Sequence, residues 1–144
     1  LNIAELYLWL FCFAILAACG NGVDHPPAVS CGPEVIISSE LFSTAETELL
    51  DIIELNIIAD CLVVTVGSSG CDGETWVVKL IDAGQVLESL PVQRNIVISI
   101  SNDEECDAYF MRDYSFNISD LQIGDSGTIL LNIFNSGDQI SYEY

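Results

Sequence analysis

Two stretches decide the fold. One is Cys61-Leu62-Val63-Val64-Thr65-Val66, ended by Gly67-Ser68-Ser69-Gly70; the other is Trp76-Val77-Val78-Lys79-Leu80-Ile81, ended by Asp82-Ala83-Gly84-Gln85. Both are short, rich in β-branched residues and bounded by turn formers, which marks strands rather than helices. In the second, Trp76, Val78 and Leu80 fall on one face and Val77, Lys79 and Ile81 on the other, as the period of two requires. Trp76 is therefore expected between sheets as a core residue, not displayed as a binding aromatic.

The same pattern spreads outward in both directions. Upstream, Ile53, Leu55 and Ile57 alternate with Glu54 and Asn56, and Val35-Ile36-Ile37 makes a short strand. Between them, Ser43 stands three residues ahead of Glu46, the spacing of a capping box, so a helical turn is expected from Ser43, extending over 46–53. That apolar run also reads as the start of a strand. Downstream, Val86-Leu87 begins a returning strand, and Pro91 argues against a central strand at that point. Ile96, Ile98 and Ile100 alternate with Val97 and Ser99, and Tyr114, Phe116 and Ile118 with Ser115, Asn117 and Ser119. Gly124-Asp125-Ser126-Gly127 turns into Thr128-Ile129-Leu130-Leu131-Asn132-Ile133-Phe134, and Gly137-Asp138 turns into a closing strand through Ile140, Tyr142 and Tyr144. About seven or eight short strands at this spacing predict an all-β fold, a small antiparallel β-sandwich, immunoglobulin-like, or an open barrel. A βαβ fold has nowhere to place its helices.

Charge narrows the partners. The 144 residues carry 22 Asp and Glu against 3 Lys and Arg, a net charge of -19. Nucleic acid is excluded as a partner, because a phosphate backbone needs a basic surface and the cations are Lys79, Arg94 and Arg112 alone. Cations or basic proteins suit this surface, although solubility by itself accounts for such a charge. With 51% apolar residues the chain is no acidic disordered segment.

The N-terminal part reads as an address. Residues 6–18 form an apolar run, shorter than the ~20 residues that span a hydrocarbon layer and suited to a signal peptide. A buried helix is the competing reading, but with no polar face it would need wrapping on all sides. Leu16-Ala17-Ala18-Cys19 follows and resembles the bacterial lipobox, in which lipid is attached to the cysteine and the leader is cut just before it. That resemblance implies lipidation of Cys19 and a membrane partner through the lipid anchor. Gly20, in place of an acidic residue after the cysteine, implies the outer membrane of the bacterial cell envelope. The expected organisation is a signal peptide over 1–18, a lipidated cysteine and tether over 19–34, and an all-β domain over 35–144.

Four cysteines follow Cys19, an even number that favours disulfides in an oxidising compartment. Cys31, Cys61, Cys71 and Cys106 allow three pairings, and the sequence does not choose among them. Cys71 with Cys106 is preferred because both lie in turn-rich segments, leaving Cys31 for Cys61.

Several pieces together resemble a family of small uncharacterised lipoproteins from Bacteroidetes-type bacteria of marine and gut habitats. They are Ala59-Asp60-Cys61-Leu62, Ser69-Gly70-Cys71, Glu105-Cys106-Asp107-Ala108, the Ser115-Phe116-Asn117-Ile118-Ser119-Asp120-Leu121 run and the closing segment 129–144. The family often has Gly after the second cysteine and a His soon after it, where this chain has Asp72, Gly73 and Thr75. The resemblance implies address and fold, and carries no activity.

No catalytic set stands out. The single histidine, His25, lies in the tether beside Pro26, a poor place for a preorganised triad. Gly67-Ser68-Ser69-Gly70 lacks the lysine and the helix of a phosphate loop. A non-catalytic binding or structural domain of the envelope, with a protein or carbohydrate partner, is therefore preferred. The alternative is a carboxylate-based hydrolase acting on an envelope or dietary polymer. The sharpest candidate site is the acidic run Asn102-Asp103-Glu104-Glu105 with Asp107, which Asp72 joins if Cys71 pairs with Cys106. An ordinary solvated loop is the favoured reading, since charge runs usually face water. The sharper one is a weak Ca2+ site on Asp72, Asp103, Glu105 and Asp107, with no other cofactor.

Overall fold

In the computed structural model the described residues are 30–144. The expected signal peptide over 1–18, the lipidation site Cys19 and most of the tether lie outside them. The chain order is β1 (Ile36–Ile37), α1 (Ser39–Ser43), β2 (Asp51–Ile58), β3 (Cys61–Gly70), β4 (Val77–Leu87), β5 (Val92–Ser101), β6 (Ala108–Asn117), a 3-10 turn (Ser119–Leu121), β7 (Thr128–Ile133) and β8 (Asp138–Glu143). These strands make two sheets, one of three in the order β2-β3-β6 and one of five in the order β1-β4-β5-β7-β8.

The expectation of a purely antiparallel arrangement needs correction. β1 pairs parallel with β4, and β5 pairs parallel with β7. A parallel pair needs a long crossover, which helices usually supply. Here β6 supplies it for β5 and β7 by running in the opposite sheet, so no helix is required.

Both sheets feed one core cluster. The alternation places Leu62, Val64 and Val66 of β3, Val78 and Leu80 of β4, Ile96, Ile98 and Ile100 of β5, and Ile129, Leu131 and Ile133 of β7 inside it. Trp76 is buried among them, as its position in the pattern indicates, and Tyr142 of β8 is wholly buried. Side chains such as Leu62 and Leu131, with no exposed surface, each contribute about 1.5–3 kcal/mol by leaving water.

Local chemistry moves several boundaries. The helical turn does not start at Ser43. Ser38 caps it, accepting from the Leu41 N–H, and Ser43 and Thr44 end it by donating their hydroxyls to the Glu40 carbonyl. Segment 46–53 is not helical, and β2 begins at Asp51. A bulge between Ile52 and Glu54 then turns Ile52, Leu55 and Ile57 toward the core and leaves Ile53 exposed. Gly67 does not end β3, because the ring of Tyr109 lies over it and the strand continues to Gly70. Asp82-Ala83-Gly84-Gln85 is a bulge inside one long β4 rather than a turn between two strands.

That bulge holds a buried ion pair. Asp82 and Arg94 continue the core-facing rows of β4 and β5. Arg94 donates from Nε at 2.9 Å and from a terminal nitrogen at 2.7 Å to the two oxygens of Asp82. The Gly84 N–H adds a third bond to Asp82 at 2.7 Å.

Cys31 pairs with Cys61 and Cys71 with Cys106. The first bond fastens the incoming chain to the start of β3. From there Gly32 donates to Ser115 Oγ and Pro33 accepts from the Asn117 N–H, so the chain is docked before β1. The second bond ties the β3–β4 crossing to the β5–β6 crossing.

Candidate functional site

The disulfide between Cys71 and Cys106 brings the acidic loop 102–107 against the turn 71–75. One carboxylate of the loop is drawn inward, and it is Glu104, which the sequence reading left out of the ligand set. Its Oε2 accepts from the backbone N–H groups of Cys71 at 2.6 Å, Gly73 at 3.0 Å and Asp72 at 3.2 Å. Its Oε1 accepts from Thr75 Oγ1 at 2.7 Å. Successive N–H groups aimed into one concavity form an anion nest, and here the chain's own carboxylate fills it. Partial burial by itself raises the Glu104 pKa. The Thr75 hydroxyl and the N–H groups of Gly73, Cys71 and Asp72 outweigh that and hold it down at about 2, below the ordinary 4.5. The glycines explain why the nest fits. Gly73 has a positive φ of 73°, and a Cβ on Gly70 would collide with Glu104 Oε2 and crowd the Trp76 indole.

A polar chain then fixes the loop to the sheets. Asn102 Oδ1 accepts from the Glu104 N–H at 3.0 Å, and Asn102 Nδ2 donates to the Ser69 carbonyl at 2.7 Å and to Ser68 Oγ at 3.2 Å. The buried Ser68 hydroxyl donates on to the Leu49 carbonyl at 2.6 Å. Asn102 carries the legible signal of this arrangement, because Asx side chains bond the backbone two residues on.

Two adjoining hollows flank this network. The larger, about 520 Å³, is lined by 45–49 and 100–103. The smaller, about 340 Å³, shares Glu48, Leu49 and Asn102 with it and adds Asp51, Glu104, Glu105, Asp107 and Tyr109. Tyr109, half exposed at the rim, donates to Asp51 Oδ2 at 2.9 Å, and that bond raises its pKa. The result is an acidic groove with a rigid wall.

The four residues named as calcium ligands do not converge on one point. Asp103 lines the larger hollow, while Glu105 and Asp107 line the smaller. Asp72 lies on the 71–75 turn, where its Oδ1 accepts from the Glu74 N–H at 2.8 Å. All four are exposed, and among the described residues no group of three or more His, Cys, Asp or Glu side chains is arranged to hold a metal ion.

A second polar cluster joins the sheets at the other end. The Tyr142 hydroxyl donates to Asp60 Oδ1, in the two-residue turn between β2 and β3, and accepts from Gln122 Nε2 at 2.7 Å. Burial first, and the bond to Asp60 second, push the Tyr142 pKa up to about 12. This cluster is structural: Tyr142 has no exposed surface.

No family model matches the chain, and no curated protein matches it. Two solved structures share its architecture. A NigD-like immunity protein from Bacteroides caccae aligns with a TM-score of 0.52 at 10% identity, over 78% of this chain and 59% of its own. A protein of unknown function DUF1344 from Bacteroides vulgatus aligns with a TM-score of 0.51 at 13% identity, over 79% of this chain and 56% of its own. The chain thus spans less than three-fifths of the length of either structure. At these identities the likeness is one of fold: the chain shares its β-rich architecture with these two Bacteroides proteins.

Proposed function

We propose that this chain is a non-catalytic binding or structural module of the bacterial cell envelope, held at the outer membrane by lipid on Cys19. Its two sheets around one core are read as a small β-sandwich, and its acidic groove as the face offered to cationic partners. The observation that carries the reading is the use made of Glu104. A carboxylate-based hydrolase needs one carboxyl with a raised pKa to serve as the acid, whereas Glu104 is held low and spends both oxygens on its own fold. The exposed carboxylates around it and the half-exposed Tyr109 at the rim supply recognition.

Two measurements test the reading separately. A hydrolysis screen over glycans and peptides is expected to show no turnover. Clear turnover abolished by a single groove substitution, such as Asp103→Asn, defeats the binding role. For the address, the intact mass of membrane-extracted protein is expected to show a lipid adduct on a chain beginning at Cys19, absent in Cys19→Ser. An unprocessed N-terminus with no adduct in the native host defeats the anchor.

A further inference from the structure

The two sheets end side by side. β2 is a terminal strand of the three-stranded sheet and β8 a terminal strand of the five-stranded one. Between them runs a groove of about 460 Å³, lined by Ile52, Ile53, Glu54 and Leu55 of β2 and by Asp138, Gln139 and Ile140 of β8. Among the described residues no hydrogen bond joins β2 to β8.

Elsewhere the fold covers parts of its open strand sides. Beyond the reach of β7, the Asn135 amide pairs with both the N–H and the carbonyl of Ile98, as a neighbouring strand would. The Ile100 N–H donates to the Glu46 carbonyl. β1 covers β4 at Ile81 and Asp82, and the incoming chain bonds Asn117 at the end of β6. The β2–β8 groove differs in setting two open strand edges side by side over an apolar floor, with no strand paired to either among the described residues. An uncovered edge is a template for another strand.

We infer that the groove between β2 and β8 binds an extended peptide segment in which Lys or Arg alternates with aliphatic side chains, by strand addition. In that mode main-chain hydrogen bonds give affinity and alternate side chains give specificity. Aliphatic side chains would meet Ile52, Leu55 and Ile140, and the intervening cations would meet Glu54 and Asp138. The bulge presents Ile53, 51% exposed, to the incoming strand.

Charge selects this occupant. Of the three cations, Arg94 is buried on Asp82 and Arg112 is bound to the Asp72 carbonyl. Lys79 lies on β4, away from the groove lining. Nothing basic therefore opposes the acidic rim. A second copy brings a further net charge of -19 and is repelled.

The test uses the full chain and a peptide of about eight residues alternating Lys and Val, a length that suits strand addition. The control is the same peptide N-methylated at every second residue, which keeps the charge and loses the donors. The parent peptide is expected to slow deuterium exchange at 52–55 and 138–140 and to bind on the order of tenfold more tightly than its control, the factor for one lost increment of about 1.4 kcal/mol. Ile53→Pro is expected to weaken it similarly. Ile53 is the bulge residue left out of the β2–β3 register, a kind of position at which strands accept proline. If that variant fails to fold, Glu54→Lys/Asp138→Lys takes its place, with the same loss expected. Equal binding of the two peptides would overturn the inference in favour of diffuse attraction. So would protection elsewhere on the surface, or edges already protected before peptide is added, which would assign the groove to this chain's own residues or to a second copy. None of these outcomes bears on turnover or lipidation.

Discussion

Replacing Arg94 by methionine removes the partner of a carboxylate that has no exposed surface. Two bonds vanish, at 2.7 and 2.9 Å, and Asp82 keeps the single N–H of Gly84. Breaking a buried pair from one side leaves an uncompensated charge and costs about 3–5 kcal/mol. In guanidinium unfolding, followed by tryptophan fluorescence with the disulfides intact, this is a fall in midpoint on the order of 1 M at unchanged slope. Asp82→Leu in the parent strands the guanidinium and should cost a comparable amount. The double variant Asp82→Leu/Arg94→Met leaves no buried charge. It should return to within about 1 kcal/mol of the parent, because apolar replacement of a whole buried pair is often neutral or better. A double variant no more stable than the weaker single, or single losses below about 1 kcal/mol, would refute the reasoning.

Four further outcomes are expected. Tyr142→Phe should lower stability by about 1 kcal/mol, since Asp60 and Gln122 keep their own bond. The raised pKa of Tyr142 stabilises the fold fully below 10, and that contribution is lost as pH rises through about 12; alkaline unfolding of the variant should lack this dependence. The depressed pKa of Glu104 acts in the opposite direction, with its stabilisation complete above 4.5 and lost as pH falls through about 2; acid unfolding of Glu104→Gln should be flatter over that window. Cys71→Ser/Cys106→Ser opens a loop with a sequence separation of 35, and thermal or denaturant unfolding should register a loss of about 3–4 kcal/mol. Calcium and magnesium at fixed high ionic strength should shift the melting temperature of the parent and of Asp103→Asn/Asp107→Asn equally; a calcium-specific shift confined to the parent would instead establish a site.

The parts of the fold visible in the sequence are those set by alternation along a single strand. Leu62, Val64 and Val66, or Ile96, Ile98 and Ile100, announce a buried face wherever they pair. Partner choice is a different matter, because nothing in Val92 or Ile129 specifies that their strands run parallel. Bulges are also hidden, since one extra residue at Ile53 puts Ile52 in its place against the core while Leu55 and Ile57 keep the expected side. Asp82-Ala83-Gly84-Gln85 has turn composition and yet continues a strand, because Asp82 is held by Arg94, twelve residues away. The acidic loop was legible as a place but not in its internal order. Asp103, Glu104, Glu105 and Asp107 are chemically alike, and only the nest at 71–75 distinguishes Glu104 from the rest. The capping error has a similar cause: Ser38 and Ser43 are both plausible caps by composition, and the contacts of the helical turn decide between them.

The interleaving of the two sheets makes each of them depend on chain from distant parts of the sequence. The five-stranded sheet is drawn from 36–37, 77–101 and 128–143, and the three-stranded sheet from 51–70 and 108–117, so neither is a contiguous stretch of chain. The hairpin of β2 and β3 can form early, as can the Cys71–Cys106 bond once β5 and its loop exist. The far side of β5 cannot be matched until Val92 meets Ile129. The Ile96 row therefore gains its β7 neighbours only through a non-local pairing, the kind that slows folding. A chain cut short before 128 would retain all four disulfide cysteines and still lack Ile129, Leu131, Ile133 and Tyr142 of its core.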